Sequence, residues 1–160
     1  MKDVKKLLKY IGISIGTLLI FVALVGIGSI FEDNWRARAM EKWIVTIDHP
    51  GESHHLKSMS LVANFGQSNH CDFAGGEIRA SSLSRKEINR FYEPLMIATY
   101  KIPNKSFEVY FPDADESYSA VSVFLDELRR LEKDATSTET TYLVLAIDAM
   151  HPAGIDIRCH

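Results

Sequence analysis

The chain has 160 residues, with 18 Lys and Arg against 21 Asp and Glu and a formal net charge of −3. That length builds one modest core, and no internal repeat points to a second unit. The acidic balance argues against a basic face for nucleic acid, so no nucleic-acid partner is expected.

The chain opens on a lysine-rich head, residues 1–9, in which Lys2, Lys5, Lys6 and Lys9 outnumber Asp3. Residues Tyr10–Phe31 then run 22 positions without a charge. As a helix this run reaches about 33 Å, enough to cross a bilayer's hydrocarbon core. Ser14, Thr17 and Ser29 are its hydroxyl residues, and such groups bond their own backbone carbonyls. A cleaved signal peptide has a shorter apolar region, of about 7–15 residues, so an uncleaved anchor is expected. The basic head is expected on the cytoplasmic side, and the domain that follows on the other. A bacterial inner membrane with the domain facing the periplasm is the setting this implies. Trp35 is placed to sit among headgroups, while Trp43 suits either the interface or the core. Gly12 and Gly16 form a GxxxG pair, the spacing that lets two helices approach in a weak homodimer, although glycine is common in membrane helices in any case.

Residues 32–58 read as a juxtamembrane segment and loop, and 59–160 as the folded domain. With the head removed, 14 basic and 20 acidic side chains remain, a net charge of −6 carried by a solvated surface. Ser60–Phe65 and Phe73–Ser81 read as strands, the second with a bulge at Gly75-Gly76. Ser84 followed by Glu87 is a capping box, flanked by Leu83 and Ile88 as a hydrophobic staple. The helix it starts is expected to end near Glu93, because Pro94 disfavours helix just before it. An edge strand is expected near Ala98–Ile102. Phe107–Phe111 alternates as a half-buried strand. A second helix follows Pro112, with Asp113 and Asp115 as candidate caps. Tyr118, Val121, Phe124, Leu125, Leu128 and Leu131 form its apolar face. After a polar loop, Thr141–Ile147 is apolar throughout, as a central strand is, and Ile155–Cys159 alternates again. The fold class is α+β: an N-terminal transmembrane helix, then a small, mostly antiparallel sheet with two helices packed on one face.

Cys71 and Cys159 are expected to form a disulfide if the domain is exported. Its loop of about 89 residues corresponds to about 4–5 kcal/mol in the chain-entropy treatment. The competing arrangement brings His70-Cys71 and Cys159-His160 together on zinc. Adjacent side chains on a strand point to opposite faces, which counts against it, and no metal site is assigned. His49, His54 and His55 read as a solvent-facing loop.

Four residues stand out as functional candidates. Asp148 and His151 place a carboxylate near an imidazole, as in an oriented general base. Glu77 and Arg79 share a strand face and would form a charged ladder with Asp156 and Arg158 if those strands pair. No nucleophile accompanies either pair, and no catalytic set or cofactor is assigned. The expected partners are the lipid bilayer and a membrane or envelope protein bound by the domain. A tethered enzyme or small-ligand domain using the His and carboxylate residues is the alternative.

Overall fold

In the computed structural model of the chain, residues 2–64, 69–115, 119–134, 138–153 and 156–159 are described. Helix α1 spans Lys2–Thr46 without interruption. It contains one segment long and apolar enough to span a membrane, and none of its most apolar window is buried in the protein. Strands β1 (Ser53–Ala63) and β2 (His70–Ser81) follow. Helix α2 (Arg85–Tyr100), strand β3 (Lys105–Tyr110), helix α3 (Ser119–Asp134) and strand β4 (Thr140–Pro152) complete the layers. All pairings are antiparallel, in the order β1-β2-β4-β3. The fold is α+β, with a long apolar N-terminal helix, a four-stranded antiparallel sheet and two further helices.

Helices α2 and α3 lie on opposite faces of the sheet, not on one. Alternate residues of β4 point to opposite sides, and both sets are apolar. Leu143 and Leu145 pack with Phe124, Leu125 and Leu128 of α3. Tyr142, Val144 and Ala146 pack with Ile88 and Tyr92 of α2 and Ile44 of α1. The second helix layer is therefore shared between α2 and the end of α1.

That end lies in the segment read as juxtamembrane. Ala37 and Ile44 are buried in the core, so residues 32–46 belong to the fold. The approach of α1 to β2 is set by glycine. A Cβ at Gly75 would fall 2.7 Å from Glu41 Cα, and nearer still to Glu41 N and the Met40 carbonyl carbon. Gly76, on the other face, lies under the Phe124 ring. Neither glycine forms a bulge. Both pair in regular register, and the register shifts lie at His55/Lys57 and Cys71/Phe73.

The capping box at Ser84 and Glu87 is present, and Leu83 packs on the cluster containing Ile88. Helix α2 nevertheless continues through Pro94 to Tyr100, where an end and then an edge strand were expected. Leu95 and Met96 beyond the proline pack on the Ile44–Phe107 cluster, and that burial offsets the hydrogen bond proline removes. The expected last strand is instead a 3-10 turn at Ile157–Cys159, because Asp156 accepts the Arg158 backbone N–H two residues on at 3.0 Å. Cys71 and Cys159 are joined in a disulfide with a Cα–Cα distance of 4.7 Å. Asp113 pairs with Arg85 at 2.7 Å and does not cap α3, which starts at Ser119. Phe65, Glu116, Tyr118, Gly154, Ile155, His160 and residues 135–137 of the expected polar loop lie outside the described residues.

Gly75→Ala is expected to destabilise the fold by about 3 kcal/mol or more, because backbone must move to admit the methyl group. Gly76→Ala meets only ring and methyl atoms, at 2.8 to 3.1 Å. Its loss should be smaller and partly recovered by Phe124→Leu. Urea denaturation of the four proteins checks both statements, and equal losses at the two glycines would contradict them.

Candidate functional site

Two polar clusters occupy the face of the sheet that α1 covers. The first centres on Glu77, which is 1 % exposed in the middle of β2. His55 reaches it from β1, with Nδ1 2.9 Å from Oε1. Arg79 Nη1 donates to the same oxygen, as two residues on one strand face can. His49, in the turn after α1, lies with Nε2 3.2 Å from Oε2. That nitrogen is also 3.0 Å from the Ile44 carbonyl, which only accepts, so Nε2 carries a proton. Nδ1 then meets the Tyr92 hydroxyl at 2.6 Å, as acceptor when the ring is neutral and as donor when it is charged.

Burial pushes the Glu77 carboxyl upward. Hydrogen bonds from His49 and His55, with the charges of His49 and Arg79, outweigh it and hold the pKa at about 2. Burial, with Tyr142 nearby, raises the Tyr92 phenol well above its usual value, so it stays protonated. The cluster ties α1's end, β1, β2 and α2 around one carboxylate. Ser53, the nearest hydroxyl to Arg79, donates to the Pro50 carbonyl at 2.6 Å and accepts from Arg79 Nε at 3.1 Å. Its proton is engaged, and the group is a buried pin.

The second cluster holds Asp148 and His151, which the structure does bring together. His151 Nε2 lies 3.1 Å from Asp148 Oδ1, and Lys105 Nζ lies 3.9 Å from Oδ2. Arg36 of α1 stands 3.4 Å from His151 Nδ1 and over the Phe73 ring at 5.7 Å, with that ring 5.0 Å from the imidazole. Phe73, opposite Asp148 in register, is four residues along β2 from Glu77, about 13 Å. The two candidate pairs therefore do not form one site. The ladder of Glu77 and Arg79 with Asp156 and Arg158 does not form either. β4 takes the place beside β2, and Asp156 pairs with Arg158 within its own turn at 2.5 Å.

Asp33, Cys71 and Cys159 converge within 4.8 Å. With the sulfurs joined, no thiolate is free to bind a metal, and His70 pairs with Asp72 at 3.1 Å. Burial, then the neighbouring Asp156, raises the pKa of Asp33, whereas the Arg158 guanidinium holds Asp156 at about 2.

Three cavities lie elsewhere. One of about 290 Å³ is lined by Met40, Trp43, Thr99, Ile102, Lys105 and Ser106. An open groove of about 630 Å³ runs between α2 and Val109, and a cleft of about 310 Å³ lies between α1, β1 and Arg158. None of these three is lined by Glu77, Asp148 or His151.

His49 and His55 are the residues that sequence reasoning set aside as a solvent-facing loop. The β1–β2 register, with His55 opposite Arg79, brings His55 to Glu77, and the turn after α1 brings His49. A histidine-rich stretch upstream of a strand with a central glutamate was the available signal. No protein-family model, curated protein or solved structure matches this chain.

Glu77→Gln is expected to cost about 3 kcal/mol at neutral pH, since it leaves Arg79 buried without its counter-charge. A carboxyl held near 2 against an ordinary 4.5 contributes stability that is complete above about pH 4.5 and is lost as pH falls toward 2. Asp156 and Glu127, also held at about 2, contribute in the same window. The difference between wild type and Glu77→Gln therefore isolates the pin, and it should shrink between pH 4.5 and 2. A constant difference across that range would remove Glu77 from this role.

Proposed function

We propose that the chain is a single-pass membrane protein whose Tyr10–Phe31 segment is the anchor. Its head is cytoplasmic, and its α+β domain binds a membrane or envelope protein on the other side. One observation carries the binding role: the apolar surface around the 290 Å³ cavity where α1, α2 and β3 meet. Trp43 packs edge-on against Phe107 at 6.0 Å yet stays exposed, and Ile102 is about half exposed. Lys105 and Ser106 give this apolar surface a polar border. A partly wet aromatic with aliphatic neighbours and a polar rim is the composition of a protein-binding patch.

The disulfide supports an oxidising compartment. The internal pairing of Glu77 and Arg79 gives that cluster a structural role in place of a catalytic one. A tethered enzyme is the second reading, and the Asp148–His151 pair is the observation in its favour.

A photoreactive side chain at Ile102 in the native membrane should give a discrete crosslinked protein, and the same group on Lys133, at the end of α3, should not. Matching products at both positions would count against the patch. In the same cells, the cysteines should become labelled by an impermeant maleimide only after reduction. Labelling that needs permeabilisation but no reductant would reverse the orientation.

A further inference from the structure

Helix α1 fixes the height of every element that packs on it. β2 climbs beside α1 from Cys71 near Asp33 (Sγ–Oδ2 3.8 Å), through Phe73 under Arg36, to Gly75 against Met40 and Glu41. The register puts Asp148 opposite Phe73 and Lys105 opposite Asp148. The Ala149 N–H donates to the Asn104 carbonyl at 2.7 Å. The end of β4 and Asn104 therefore lie near the level of Arg36, while Ile102 lines the cavity with Met40 and Trp43 above it. Arg36 is five residues past Phe31, about 8 Å along the helix. The headgroup layer on each side of a bilayer is about 5–8 Å thick.

At this level the fold exposes aromatic and apolar side chains. Tyr100, the last residue of α2, is 89 % exposed, and Trp35 of α1 is 70 % exposed. Met150, at the end of β4, is 58 % exposed with a backbone φ of 66°. A non-glycine residue in that region is strained, and Asp72 holds it there by accepting the Met150 N–H at 2.8 Å. The fold thus locks an apolar side chain outward at the same rim. Tyr and Trp, each with an apolar body and a polar tip, suit the headgroup layer.

We infer that this rim, formed by Trp35, Tyr100 and Met150, seats on the lipid interface of the membrane that holds α1. The inference rests on the anchored reading and adds a partner to it: the bilayer surface itself. Trp43, eight residues beyond Trp35 and about 12 Å higher on the helix, stands clear of the lipid.

The test uses the full chain in phosphatidylcholine vesicles whose acyl chains carry bromine near the headgroup. Single-tryptophan proteins report each height: Trp43→Phe retains Trp35, and Trp35→Phe retains Trp43. Tyr100→Trp and Met150→Trp are each placed in the background lacking both native tryptophans. Resistance of the cysteines to thiol labelling without reductant serves as the check on folding. Positions 35, 100 and 150 should each lose about half their emission and position 43 little, given the thickness of the interfacial layer. Quenching at 35 without quenching at 100 and 150 would overturn the seating and leave the anchor standing. An unquenched Trp35 would overturn the anchor itself. Positions 100 and 150 shielded from aqueous iodide yet unquenched by bromine would assign the rim to a protein partner, overturning the lipid one.

Discussion

The close approach of α1 to β2 at Gly75 is the constraint on which the other contacts depend. Backbone meets backbone there, and no side chain larger than hydrogen fits between them. Gly76, the next residue, performs the same service for Phe124 on the opposite face. Two consecutive glycines thus thin the central strand on both sides. This lets the sheet bury β2 almost completely, including Glu77. With bulkier residues, the helix would stand off and the Ile44 side chain would leave the pocket it shares with Tyr92 and Tyr142.

Charge is used inside this fold chiefly to tie elements that the apolar core alone would not hold in register. Glu77 gathers the turn after α1, β1 and its own strand. Asp72 fixes the end of β4, and Asp156 with Arg158 fixes the final turn against Asn34 of α1. A carboxylate surrounded in this way is expensive to bury and strongly bound once buried. Such groups resemble catalytic constellations in composition, yet Glu77 is 1 % exposed and directs its charge at Arg79 and the neighbouring histidines. The binding role proposed above therefore rests on the apolar surface around Trp43 and Ile102 and not on these charges.

Local rules were readable from the chain, and long-range ones were not. The capping box at Ser84, the apolar stripe of α3 and the central strand at Thr141–Ile147 rest on spacings of a few residues. The same reading placed the cysteine pair, because a lone pair leaves one intramolecular disulfide. The side of the sheet each helix covers was hidden, since β4 is apolar on both faces and its period distinguishes neither. Pro94 misled because packing of Leu95 and Met96 beyond it offsets the local penalty. His49 and His55 were unreadable as partners of Glu77, since more than 20 residues separate each from it, and strand register joins the one while the docking of α1 joins the other.

The stretch from Glu32 to Thr46 contains neither glycine nor proline, and its inner face is fastened to the sheet from Ala37 to Ile44. Helices bend sharply at such residues, at Gly/Ser pairs or at inserted side chains. The nearest such step is Gly28-Ser29, inside the apolar segment, and the helix is stiff from Ile30 through its packed half. It is a lever with the sheet rigidly mounted on one arm. In the anchored arrangement proposed above, any reorientation of that stiff length, by a neighbouring helix or a thinner hydrocarbon layer, swings the Trp43–Ile102 surface through the same angle. Presentation of that surface is thereby set from the other end of the molecule, with no conformational change inside the domain.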